Sequence, residues 1–273
     1  ILKWMSAAAA LVSLIAVLQY IGFNFIPHYI HDRMHPYSTI GNRNFVGTYT
    51  VFILPAAICF YLRRREAVWL GCAALIYAGL LVSLTRGAWL ALPLPLLIIF
   101  CHFFRNPKNR RALLILFLIL LLTTALLAPA RDWLLIKRAF SIPDQLALAL
   151  ELEDSAGTDR LYIWKETLKV IRANWAFGVG PDHLDLPAPP RVIIDKAHNI
   201  YLEIAATMGL FALCAFLWFL SSFLRIRPGE NGLLFFTMIL AYLLQGVANI
   251  DVIAVMPLFW ITLGLSLTQD RIS

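Results

Sequence analysis

Three side chains in this sequence have types and positions suited to chemistry: Arg86 in "SLTRGAWLAL", Arg160 in "GTDRLYIW" and His198 in "DKAHNIYLEI". Each stands at the threshold of a stretch with helical character. The unpaired N–H groups of a helix start and the positive end of its dipole favour an anion there. A guanidinium in the same place adds a planar fork of donors, whose hydrogen bonds to charged oxygens are each worth about 1.5–3 kcal/mol. An arginine at the edge of hydrocarbon costs up to a few kcal/mol without such a partner. A diphosphate would satisfy it. Histidine titrates near working pH, so it can take a proton from a hydroxyl and contribute ~10²–10⁴-fold to a rate. Two anion holders and one proton acceptor suit a reaction in which a phosphorylated group departs and a hydroxyl attacks.

Other residues could support these three: Asn199, Lys196, Arg43, Glu203 and Arg191. Lys196 and Arg191 either add positive field or keep a loop soluble. Glu203, one turn beyond Asn199, is awkward in an apolar helix; it orients a neighbour, lines a cavity or acts directly, and the residues leave all three open. Structural roles stand beside the chemical ones. His198 could cap a helix start, Arg86 could reach for lipid headgroups, and Arg160 could pair with Asp159 or Glu166. In "HYIHDRMH", His28, His31 and His35 with Asp32 could converge on a metal, but Pro27 and Pro36 bracket the stretch. A solvated loop is the better expectation, and no metal site is expected. "GVGP" reads as a turn rather than a phosphate cradle. Gln245, Asn249 and Asp251 are polar enough for a pathway, and a loop end explains them equally well.

The elements that must hold these residues are membrane helices. The 273 residues are 60% hydrophobic and 14% charged, with a mean hydropathy of +0.75; soluble domains run about 45–50% apolar and about 25% charged. The surplus falls in eight runs, at about 4–26, 45–62, 67–84, 88–104, 112–129, 199–223, 233–248 and 252–267. Most have the length of about 17–25 residues that crosses about 30 Å of hydrocarbon. Basic connections ("RRRE", "RNPKNRR", "RIRPGENG") with Lys3 and Arg271 put about 11 Lys and Arg on one side, against about 3 (Arg33, Arg43, Arg86) on the other. The positive-inside rule then places both ends in the cytoplasm with eight crossings. The net charge of +7 is therefore a topology signal, and no nucleic-acid partner is expected. The four cysteines, Cys59, Cys72, Cys101 and Cys214, lie in apolar runs with neither disulfide nor zinc spacing. The chain opens at Ile1 without Met, so preceding helices are expected to be missing. Residues 4–26 are too long for a cleaved signal, and no small-residue cleavage site follows.

One outer connection, 130–197, is roughly 68 residues long and carries about nine basic and ten acidic residues. That is far beyond an ordinary loop. Within it, Leu161, Trp164, Leu168, Ile171 and Trp175 recur at helical spacing, opposite Lys165, Glu166, Lys169 and Arg172. Gly157 and Thr158 supply a break and a capping hydroxyl, and Asp159 falls in the first turn. This amphipathic helix is expected on the outer membrane surface, with Trp164 and Trp175 at headgroup depth.

From about Gly41 to about Leu213 the chain resembles the O-antigen ligase / O-antigen polymerase family of bacterial membrane glycosyltransferases. "GNRNFVGTYTVFILP" is similar to its G-N-x-N helix start and "SLTRGAWLAL" to its S-x-(S/T)-R-G segment. "GTDRLYIW", "GVGP" and "KAHNIYLEIAATMGL" match its R-x-x-x-W, G-x-G and H-N-x-Y-L-x-x-x-x-x-x-G elements in order. The resemblance implies an all-α, polytopic membrane helix bundle of the GT-C type, with about eight transmembrane helices and a large extracytoplasmic loop. It also implies a bacterial plasma (inner) membrane protein with its active site on the extracytoplasmic side. Glycan would pass from an undecaprenyl-diphosphate carrier to an acceptor hydroxyl on a glycan, lipid or protein, without metal, cofactor or nucleotide sugar. Arg86 and Arg160 would hold the diphosphate and His198 would be the base. Arg43 departs from the family, standing where many members have proline. The whole of 1–273 is expected to be a single membrane domain, with 130–197 contributing part of the site.

Two rivals remain. A repeat-unit polymerase of the same family needs the same diphosphate site. A transporter would place ionisable groups at mid-membrane on broken helices of repeated halves; Pro55, Pro93 and Pro95 could break helices, but no internal repeat is present. A passive scaffold would leave the basic residues at the helix starts unexplained.

Overall fold

A backbone that crosses hydrocarbon must satisfy its own N–H and C=O groups, which confines long apolar runs to helices. In the computed structural model, which describes residues 1–24, 26, 35–151, 153–187, 194–225 and 231–268, every apolar run is helical. The described residues form eleven helices: α1 (Leu2–Tyr20), α2 (Arg43–Arg64), α3 (Ala67–Val82), α4 (Arg86–Ala91), α5 (Pro93–Phe104), α6 (Pro107–Leu127), α7 (Ala130–Leu150), α8 (Ala156–Ala173), α9 (Ile200–Ser221), α10 (Gly232–Gly246) and α11 (Met256–Thr268). Among them there is no strand, only an isolated antiparallel bridge between Leu186 and Ile194.

Five stretches are long and apolar enough to cross a membrane: Leu2–Tyr20, Arg43–Arg64, Arg86–Phe104, Pro107–Leu127 and Ile200–Ser221. The other three apolar runs give shorter helices, α3 with 16 residues, α10 with 15 and α11 with 13. The prolines do not end the spans. Pro93 lacks an N–H and interrupts the hydrogen-bond ladder, yet Leu92 keeps helical angles (φ −74°, ψ −41°), so α5 continues α4. Pro55 lies inside an unbroken α2.

The chain folds as two compact units. The first comprises 1–139, 226–245 and 252–273. Its centre is α2, in which every residue from Val46 to Leu62 is buried. A helix apolar on all sides belongs inside a bundle, and α1 and α3 pack on α2 and on each other. On another side Phe52 meets Tyr242 of α10 and Phe259 of α11 edge-on, while those two rings stack at 4.2 Å.

The opening of α7 also belongs to this unit. Arg131, Asp132 and Trp133 are left-handed and bend the chain. Arg131 donates to the Gln19 carbonyl (3.1 Å) and Arg138 to the Leu84 carbonyl (3.2 Å). The sequence pattern had marked one helix in 130–197; α7 is a second. Pro143 and scattered charges break its apolar stripe, and Leu135 is its only buried residue among those described.

The second unit comprises 140–225 and 246–251. Here α8 packs on α9 around Ile163, Ile171, Leu184, Leu186, Ala197, Ala205 and Ala206. On α8, Ile163, Thr167 and Ile171 point inward, whereas Leu168 and, just beyond the helix, Trp175, both of the stripe expected against the membrane surface, are exposed. The apolar residues of α8 cover more than one stripe, and packing against Leu184 and Leu186 selects the one nearer Ile163. Its N-cap is Ser155, which makes no side-chain capping bond; the side chain of Thr158 lies outside the described residues.

Candidate active site

In the first unit, Asn42 precedes α2 in extended conformation and its side chain accepts the Asn44 N–H at 2.8 Å, a regular N-cap. This makes Arg43 the first helical residue. Arg86 holds the same position in α4. The two helix starts are joined by Thr85, whose hydroxyl lies 3.3 Å from the Arg43 carbonyl and 3.4 Å from Asn44 Oδ1. The half-buried Arg86 guanidinium feels the charge of Arg43. Two like charges held together favour an anion beside them. One turn further along α2, the Thr48 hydroxyl donates to the Asn44 carbonyl (3.0 Å) and accepts from Gln245 Nε2 (3.2 Å). The other end of that amide, Oε1, is buried without a partner.

In the second unit, Arg160 is the fifth residue of α8, just past its first turn and after the left-handed Gly157 and Asp159. His198 lies two residues before α9, itself left-handed at φ +51°. Asn199 is the N-cap: its Oδ1 accepts the N–H groups of Tyr201 (2.9 Å) and Leu202 (3.1 Å). Glu203 turns back along the helix, and its Oε2 accepts the Ala197 N–H at 2.7 Å. Lys196 binds Asp182 at 2.6 Å and lies 3.6 Å from Glu203 Oε1. Its charge is thus largely answered, and the pair holds Asp182 below and Lys196 above their usual ranges.

The His198 ring has a buried Nδ1 with no hydrogen-bond partner. Burial, and then the positive charge of Arg160, push its pKa below the usual 6.5, with Asp195 pulling weakly the other way. The ring is neutral at neutral pH, with an uncommitted nitrogen. Trp164, one turn after Arg160, likewise has a buried Nε1–H without a partner.

The segment after α8 fixes these two elements together. Helix α9 is interrupted at Gly209 (φ +87°, ψ 170°), and residues 175–180 run into the break. Val179 and Gly180 donate to the carbonyls of Ala206 (2.9 Å) and Thr207 (2.8 Å), and Leu210 donates to that of Trp175 (2.7 Å). There is no room for a side chain at the crossing. A Cβ on Gly178 would stand 2.3 Å from the Thr207 carbonyl carbon, and one on Gly209 would stand 2.1 Å from the Ala176 oxygen. "GVGP" is therefore a backbone clip, and its amides are engaged with protein.

Of the residues singled out from sequence, the structure brings Arg160 together with His198, Asn199, Lys196 and Glu203 in one unit, and Arg43 together with Arg86 in the other. Arg191 lies outside the described residues, as do His28, His31 and Asp32 of the metal motif. Among the described residues no group of three or more His, Cys, Asp and Glu side chains gathers as a metal site. Of the two alternative partners of Arg160, Asp159 and Glu166, the second bonds Lys169 at 2.6 Å. Asp182 and Asp195 were not singled out from sequence, since solvated acids in a loop carry no distinguishing pattern.

Long apolar helices with charged helix starts and a neutral, half-buried histidine define a multi-pass membrane protein with a polar site. The family model described as O-antigen ligase matches residues 70–217, more than half of the chain. The chain belongs to the O-antigen ligase/polymerase family, whose members are glycosyltransferase-like enzymes. Neither the curated proteins nor the solved structures gave a match.

Proposed function

We propose that this protein transfers a glycan from an undecaprenyl-diphosphate carrier to an acceptor hydroxyl at the extracytoplasmic face of the bacterial inner membrane, as a ligase. The acceptor oxygen bonds to the anomeric carbon as the bond from that carbon to the diphosphate breaks. The diphosphate leaves with the electron pair, and the hydroxyl proton goes to His198. Arg86 and Arg160 bind the diphosphate more tightly as its charge grows, which lowers the barrier. In this scheme guanidinium charge does the work that a metal would otherwise do.

One observation carries the proposal: a half-buried imidazole with an uncommitted Nδ1, kept neutral by burial and by Arg160. A general base must be unprotonated at working pH and free to accept a proton; a purely structural histidine would have spent that nitrogen on a hydrogen bond. The test uses purified protein, lipid-linked glycan and candidate acceptors. His198→Ala is expected to bind the carrier but to transfer ~10²-fold less or worse; near-normal transfer removes the base assignment. A single coupled product supports the ligase, a ladder of sizes makes the protein a polymerase, and uptake without transfer makes it a transporter.

A further inference from the structure

We infer that Glu203 is a positioning residue for His198, acting through the backbone and not through the ring. This inference rests on His198 being the base. A base is usually held in place by its neighbours. No bond to Nδ1 holds this ring, so the chain that bears it has a large part in placing it, and that chain is in an unfavourable state. A left-handed non-glycine residue costs of order 1 kcal/mol and persists only where its surroundings impose it.

The surroundings that impose it converge on one residue, whose carboxylate makes the bond before the histidine and whose backbone N–H makes the one after it. After His198, the Asn199 carbonyl accepts the Glu203 N–H at 2.9 Å, while the Asn199 side chain closes the first turn. Before His198, the N–H of the fully buried Ala197 is held by Glu203 Oε2 at 2.7 Å. Glu203 therefore grips both neighbours of the histidine. Its second oxygen faces Lys196, itself tied to Asp182, which steadies the carboxylate from behind. A carboxylate in the first turn of an apolar helix is also favoured by the dipole, so the fold tolerates the charge where the bond is needed. The bond needs only an acceptor oxygen. Glutamine can supply one; alanine cannot.

The experiment measures kcat and KM for the lipid-linked donor in Glu203→Ala, Glu203→Gln, Glu203→Asp, His198→Ala and the double variant His198→Ala/Glu203→Ala. Displacing a catalytic group by about 1 Å costs ~10²-fold. Glu203→Ala is accordingly expected to lower kcat ~10–100-fold with KM changed less than about threefold. Glu203→Gln should stay within about fivefold of the parent, and Glu203→Asp, one methylene short of the Ala197 N–H, should fall between. Residues that act through one group are not additive, so Glu203→Ala should cost nothing further in the His198→Ala background. The same loss in both backgrounds, or a folded Glu203→Gln as slow as Glu203→Ala, overturns the inference. Should Glu203→Ala not fold, the glutamine and aspartate variants carry the comparison. A near-normal His198→Ala removes the base assignment and this inference with it, whereas a normal Glu203→Ala beside an inactive His198→Ala removes this inference alone.

Discussion

At the scale of single residues, His198 departs from an ordinary histidine in a direction that can be measured. Burial and Arg160 favour its neutral form over the charged one. If it is the base, transfer is lost when it protonates, and a depressed pKa moves that loss downward. The acid limb of kcat/KM is expected to have its midpoint below 6.5, and Asp195→Asn, which removes the opposing negative charge, should move it lower still. A midpoint above 6.5 would mean that another group sets the limb. The stability linkage has the same sign: the fold prefers the neutral ring, so the contribution is present above the unfolded pKa and fades as pH falls through the folded one. The residue types at this site were legible in the sequence because an arginine or histidine at the mouth of an apolar run is costly without a purpose. What each one touches was not legible. The Lys196–Asp182 pair spans 14 residues of loop, and nothing in its spacing announces it. The bond from Ala197 to Glu203 became visible only with the helix start in place.

At the scale of elements, the part of the fold that sequence could not supply is the clip between 175–180 and α9. Glycines at 178 and 180 read as a turn, and Gly209 as no more than the last residue of the H-N-x-Y-L-x-x-x-x-x-x-G match, since pattern alone does not say which backbones cross. The crossing explains both. Gly178→Ala places a Cβ against the Thr207 backbone at a residue with φ +69°, and neither strand of the crossing can yield without losing the Val179 and Gly180 bonds. The expected cost is about 3 kcal/mol, in the upper range for single substitutions, read as a clear fall in the thermal midpoint in detergent. Gly71→Ala is the control: its Cβ would meet nothing within 4 Å, and the expected change is within about 0.5 kcal/mol. Equal midpoints for the two variants would mean that the clip is loose. The same contrast separates what periodicity gave from what packing decided elsewhere. The apolar runs became helices because hydrocarbon permits little else. The face of α8, by contrast, was set by Leu184 and Leu186, which come from a loop with no periodicity, and α7 was hidden by its own proline and charges.

At the scale of the whole molecule, the charge pattern makes a claim about sidedness that the first unit sharpens. Arg65 bonds Asn109 and reaches the Lys108 carbonyl, and Arg63 bonds Asn231 at 2.8 Å. The connections that follow α2, α5 and the start of α10 therefore meet at one end of this unit, and they are the basic ones. Arg43 and Arg86 stand at the opposite end of α2, joined through Thr85. Basic connections tend to stay in the cytoplasm, so the basic end is expected inside and the other outside. In a background lacking Cys59, Cys72, Cys101 and Cys214, single cysteines at Asn109, Thr39 and Asp185 read this out with a membrane-impermeant maleimide. Thr39 and Asp185 are exposed and should be labelled in intact cells, whereas Asn109→Cys should react only after permeabilisation. The reverse pattern would put Arg43 and Arg86 on the cytoplasmic side. A carrier whose glycan is handed over outside could not then reach them, and the proposed transfer would fail on geometry however well the residues suit it.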